Sequence, residues 1–254
     1  MNTVGRVAVG LALIWVSCSG CHAQAMTAGP LGVPELVVGA LVPLSQVANG
    51  VDGELQILKD ARITRAIAKQ VWNTGGLDVE QEDYIPSSKE SPVRNARIQV
   101  VARNGAVLDS EELERPLARI GTAHLYPNAK ASYLLSVDYS AGFGSYSGPI
   151  TFVVEVSGGR LHWVEAVDAS AKRAKLRMMD SLKTAWRIVD ASAEGKEILE
   201  AACRPTEKTL KTGGDFTITY SRFFFDGVEW RSVSRTVPGF TEFDGGFPSR
   251  RHFP

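Results

Sequence analysis

The chain has 254 residues, 44% of them hydrophobic and 22% charged, with 28 Lys+Arg against 28 Asp+Glu. Such a composition excludes a disordered or membrane-embedded chain, and domains of about 100 to 150 residues leave room for one large core or two small ones. The balanced charge supplies no net field to attract nucleic acid.

Residues 1–25 read as a cleaved signal peptide: Arg6 supplies the basic start, VAVGLALIWV the apolar run, and SCSGCHAQA the small, polar end. An apolar run of ten is too short for a spanning helix, which needs about 20 residues. Two processing routes are open. Ala23-Gln24-Ala25 is an A-x-A site that releases a soluble protein beginning at Met26. Ser19-Gly20-Cys21 resembles the end of a bacterial lipobox, which makes Cys21 a lipid attachment site, although Cys18 stands where a larger aliphatic residue is usual. Cys18, Cys21 and His22 also spell the C-x-x-C-H pattern of covalent haem attachment. Either cleavage discards at least one of the two thioether positions, so no cofactor is expected. Cys203 is then a lone cysteine that cannot make an internal disulfide, so stability must come from packing.

Residues 26–92 read as an N-terminal helical segment followed by a polar linker. LGVPELVVGALVPLSQVA (31–48) is interrupted by Pro34, Glu35 and Pro43 and suggests a buried helical or irregular stretch. ELQILKDARITRAIAKQVW (54–72) carries Ile63, Ile67 and Val71 at a spacing of four, one face of an amphipathic helix. Residues 78–92 are acidic and then polar. Asp78, Glu80, Glu82 and Asp83 could gather calcium, but lack the alternating ligands and glycine of an EF-hand loop, so a solvated face is the expectation.

An α+β domain is expected over 93–254. RIQVVA before Asn104-Gly105 marks a hairpin with a type I′ turn, and ASYLLSVDY a strand. ITFVVEVS, Gly158-Gly159 and RLHWVEAV form the clearest hairpin, pairing Val156 with Leu161, Glu155 with His162, Val154 with Trp163 and Ile150 with Val167. SAKRAKLRMMDSLKTAWRIV (170–189) returns to helical spacing, and KEILEAAC (196–203) reads as a second helix. FTITYSRFFF, Asp226-Gly227 and VEWRSVSRTV give a last hairpin, in which a three-residue turn with a glycine bulge sets Arg222 beside Trp230. Four phenylalanines in GFTEFDGGFPSRRHFP imply a docked C-terminal tail. The expected fold class is therefore α+β: a largely antiparallel sheet built from hairpins, with two or three packed helices.

Chemical signatures are sparse. No H-E-x-x-H, paired Cys/His or G-x-S-x-G pattern occurs, so neither a zinc site nor a serine elbow is expected. His162 opposite Glu155 is the one acid/base candidate, and an ordinary cross-strand pair on the solvent face is the expected reading. GFGSYSG (142–148) lacks the G-x-G-x-x-G order, but Phe143 and Tyr146 could serve as contacts of a recognition loop. The sequence points to an exported protein of a bacterial-type cell envelope that binds a protein or small ligand without catalysis. It touches membrane only through Cys21, if lipidated, and does not bind nucleic acid. An envelope hydrolase with a site around His162 and Glu155 is the alternative.

Overall fold

The computed structural model describes residues 35–74, 92–127, 130–138, 145–191, 195–207, 214–244 and 246–254. Their architecture is all-β in character. Strands β1 (Leu36–Leu44), β2 (Gly53–Asp60), β3 (Arg97–Ala102) and β4 (Val107–Glu112) form a first antiparallel sheet in that order. A second sheet has the order β11-β7-β6-β5, from β5 (Ala118–Ala123), β6 (Ser132–Asp138), β7 (Pro149–Ser157) and β11 (Arg177–Met179), with β8 (Arg160–Trp163) also paired to β7. The third has the order β10-β9-β15-β14-β13-β12. It comprises β9 (Glu165–Val167), β10 (Arg173–Lys175), β12 (Thr184–Asp190), β13 (Lys196–Pro205), β14 (Phe216–Phe225) and β15 (Trp230–Pro238). Among the described residues the α-helices are α1 (Gln46–Asn49) and α2 (Arg65–Thr74).

The expected α+β class is thus corrected, and for one recurring reason. Residues 196–203 are strand β13, not helix: Ile198 and Leu199 are adjacent and both fully buried, because the third sheet has a core on each face. Such a strand loses its alternation and reads as an apolar run with helix-favouring Glu, Leu and Ala. In residues 170–189 the stripe of Leu176, Met179, Leu182, Trp186 and Val189 is broken up: Leu176 links β10 to β11, Met179 ends β11, Leu182 lies in a turn, and Trp186 and Val189 belong to β12. The buried pair is Leu176 and Met178, at a spacing of two. Residues 54–72 divide: Leu55 and Ile57 alternate inward on β2, and only the second half is helical, with Thr64 Oγ1 accepting from the Ile67 N–H at the N-terminus of α2. Pro43 is compatible with β1 because β1 is an edge strand. β2 pairs with β3, so the strands before and after the expected break at residue 92 share one sheet. The described residues, from Glu35 onward, fall in one compact unit.

The second sheet is the middle layer. Tyr133, Leu135, Val137, Val154 and Val156 meet Leu55, Ile57, Ile98 and Val100 of the first sheet. On the opposite face Val153 and Met178 meet Ile198 and Trp230 of the third. The outer face of the third sheet is covered by the tail: Phe243, Phe247 and Phe253 pack with Leu199, Ala201, Cys203, Ile218 and Tyr220, while Phe240 stays 58% exposed. Arg250 reaches buried Glu197 at 3.1 Å, and buried Lys183 pairs with Glu242 at 2.7 Å.

The hairpins fall where the glycines predict, with instructive deviations. Gly158 and Gly159 both adopt positive φ, and Glu155 faces His162 as Val154 faces Trp163. Buried Asn49 locks this turn: its carbonyl accepts the Gly158 N–H at 2.9 Å, and its Oδ1 accepts the Tyr133 hydroxyl at 3.1 Å. Pairing then stops, because the chain crosses at Val164 from the second sheet to the third, so Ile150 faces Met179 rather than Val167. At Asn104-Gly105 only Gly105 has positive φ, and Asn104 Oδ1 accepts the Ala106 N–H, so the turn is not type I′. In the last hairpin Phe225 pairs with Trp230 around a four-residue loop. Arg222 therefore faces Val233 rather than Trp230, and its guanidinium lies 4.4 Å from the Phe224 ring centroid.

One buried charge holds the end of β2. Asp60 is fully buried and takes both nitrogens of a fork from Arg62, at 3.0 and 2.7 Å, with the backbone N–H groups of Arg62 and Arg94. Burial alone would raise its pKa, but the Arg62 guanidinium and these N–H bonds outweigh it and hold the carboxyl below the ordinary value. A depressed folded-state pKa gives stability that is present above the unfolded value of about 4 and lost as pH falls through the folded value. Asp60→Asn should therefore cost about 2–3 kcal/mol at pH 7 in urea melts, and its deficit against the wild type should shrink as pH falls below about 4. A deficit independent of pH would contradict the assignment. At the tail, Phe253→Ala should cost about 3 kcal/mol, a fall of roughly 5–10 °C in Tm, and removal of residues 239–254 more. An unchanged Tm in the truncated chain would show that the tail does not contribute.

Candidate functional site

Two places gather chemistry-bearing side chains. The first is the inner face of the middle sheet at the end nearest Pro149. Along that face Tyr133, Leu135, Val154 and Val156 are closed off by the first sheet, whereas Ile150, Phe152 and Trp163 remain half-exposed. β4 ends at Glu112, and the chain turns away as Leu113 donates its N–H to Ala96. The uncovered side chains floor a cleft of about 450 Å³. Glu111, Glu112 and Glu114 form one wall; Ala174, Lys175 and Arg177, from β10 and β11, form the other.

Trp163 is fixed from three sides. Its indole N–H donates to Glu111 Oε2 at 2.7 Å, Phe152 meets it edge-on at 5.1 Å, and Lys175 Nζ stands 3.9 Å from its ring centroid. β8 itself is held against β4, because Asp109 Oδ2 accepts the Leu161 N–H at 2.9 Å. A rigid aromatic floor between walls of opposite charge suits a ligand with an apolar body and polar ends, since pockets gain affinity from apolar burial and orientation from a few polar groups.

The second place is the facing side of the same sheet, between the middle and third layers. Trp230 Nε1 donates to the Tyr126 hydroxyl at 2.9 Å, and that hydroxyl donates to Glu155 Oε1. Lys130 Nζ lies 2.6 Å from Glu155 Oε2 and 4.6 Å from the Tyr126 ring centroid. Burial, then the bond to Glu155 and its charge, push the Tyr126 hydroxyl well above the ordinary tyrosine range, so it stays protonated at neutral pH.

The acid/base pair expected from sequence has the predicted register, but its members do different things. Both oxygens of Glu155 are taken, by Tyr126 and by Lys130, whereas the His162 side chain is exposed and makes no hydrogen bond or ion pair among the described residues. A base that orients an imidazole needs a carboxylate oxygen within hydrogen-bond reach. Tyr146 is half-buried, with the Arg204 guanidinium 5.5 Å from its ring centroid. Phe143 and Cys21 lie outside the described residues, as does the acidic cluster 78–83. Among the described residues, no three His, Cys, Asp or Glu side chains are grouped to hold a metal ion, and no helix is long and apolar enough to cross a membrane.

Sequence reasoning missed the cleft because its residues come from six strands and one loop. The available signal was the pairing of Val154 with Trp163, which puts a large aromatic side chain on the core face at the end of a hairpin arm. Comparison of the chain with protein-family models, with curated proteins and with solved structures finds no match.

Proposed function

We propose that this chain is an exported protein of a bacterial-type cell envelope that binds a small ligand in the cleft between the first and middle sheets. Export rests on residues 1–25, with their basic start, apolar run and small-residue end. Binding rests on one observation: Ile150, Phe152 and Trp163 stay partly exposed at one end of a sheet face whose central residues, Tyr133, Leu135, Val137, Val154 and Val156, are buried. Leaving two aromatic rings and an isoleucine partly uncovered forgoes burial worth about 1.5–3 kcal/mol for each fully buried side chain, a cost that a ligand lying on the floor recovers. Cys21, lipidated, would hold the fold at a membrane surface; cleavage after Ala25 would leave it free in the periplasm.

Protein isolated from a bacterial envelope with its native N-terminus, then examined by native and peptide mass spectrometry, tests both halves. The N-terminal peptide should begin at acylated Cys21 or at Met26. A small bound mass should accompany the wild type and be absent from Ile150→Trp, whose larger side chain occupies the cleft floor. An intact residue 1–25 segment on cytoplasmic protein would refute export, and equal ligand occupancy in Ile150→Trp would move the binding site elsewhere.

A further inference from the structure

We infer that the ligand of this cleft is an amphipathic cation, an apolar body carrying an ammonium or guanidinium group; the inference rests on the cleft being the binding site. The face of Trp163 already holds a cation, and the protein supplies it. Lys175 Nζ lies over the ring at 3.9 Å, where the negative π face attracts positive charge. The ring cannot turn to present another surface, because Glu111 holds its N–H and Phe152 its flank.

Lys175, in contrast, is poorly anchored. It is exposed, ends a three-residue strand at the edge of the third sheet, and makes no ion pair among the described residues. A lysine stem there can swing to solvent at little cost, uncovering the ring for a ligand cation. The walls favour the same charge. Glu111, Glu112 and Glu114 stand against Lys175 and Arg177, with Glu112 also 3.9 Å from Arg97. With Lys175 displaced, the side chains lining the aromatic face are three carboxylates and one guanidinium, an arrangement that favours a cation over an anion. A neutral apolar ligand would leave Lys175 where it is.

The test uses benzyltrimethylammonium and benzylsulfonate, matched aromatic probes of opposite charge, titrated into the full mature protein. The readout is the indole N–H resonance of Trp163, assigned by its loss in Trp163→Phe. Benzyltrimethylammonium should shift that resonance saturably and benzylsulfonate should not. Lys175→Met, which keeps the stem and removes the charge, should bind the cation about fivefold more tightly, because the internal competitor is gone. Glu112→Gln, an exposed change on the rim, should bind it about twofold more weakly. Preferential binding of benzylsulfonate, or weaker cation binding by Lys175→Met, would overturn the inference while leaving the cleft as the site. If neither probe moves the Trp163 resonance, the cation class is likewise refuted. Whether the cleft binds a ligand at all is decided separately by the bound mass and its loss in Ile150→Trp.

Discussion

Strand β7 is covered on both faces, and the rest of the molecule is arranged around that constraint. Adjacent Val153 and Val154 are both fully buried, one in each of two cores. A strand in this position cannot turn a polar side chain to water, so each one it carries must find a partner inside. Thr151 shares a hydrogen bond with Ser136 of β6 at 2.8 Å, and Glu155 takes the Tyr126 hydroxyl and Lys130. Tyr126 is in turn tied to Trp230 of the third sheet, so the middle layer is joined to its neighbour by a polar chain as well as by packing. The crossing at Val164 follows from the same demand: the chain leaves β8 and enters the third sheet, which then covers the Val153 face. That sheet acquires a second apolar face, which the C-terminal tail covers.

The cleft arises where this layering is incomplete. β4 ends before it reaches Ile150 and Phe152, and the chain returns through Leu113 to pair with Ala96 instead. The exposed edge of β8 is protected by a side chain, Asp109, rather than by a further strand. Sheet edges are commonly protected by such local devices, and here the device leaves a gap beside the aromatic floor. The candidate site is thus a property of where two sheets stop meeting. Its walls carry opposite charges because β4 ends in an acidic run while β10 and β11 carry Arg173, Lys175 and Arg177.

Local signals of backbone geometry were readable in the sequence; burial on two faces was not. Gly158-Gly159 placed the central hairpin and fixed Glu155 opposite His162, because a two-residue turn of positive φ admits one register. It could not show that pairing would end at Trp163, since the crossing at Val164 is decided by a sheet built from residues beyond 180. Residues 196–203 misled because Ile198 and Leu199 serve different cores, which erases the period of two. The stripe at 170–189 misled because an i, i+3 spacing arises also when short strands are joined by turns, as at Ser181 and Thr184. The tail was legible from its phenylalanines, although the partners of its Arg250 and Glu242, Glu197 on β13 and Lys183 in the turn before β12, lie far away in the chain. For the site, the sequence offered His162 and Glu155, adjacent on the backbone and separate in chemistry. Trp163, one residue away, faces the other layer and floors the cleft.

The central claim is that β7 couples the two cores into one cooperative unit. It is tested by urea unfolding of two single-tryptophan chains, one keeping Trp163 beside the first sheet and the other keeping Trp230 beside the third, with the remaining tryptophans replaced by phenylalanine. If β7 joins the cores, the two fluorescence transitions coincide. Val153→Ala, which removes a contact only on the Trp230 side, should then lower both midpoints equally. Separate transitions, or a Val153→Ala shift confined to the Trp230 chain, would contradict the account.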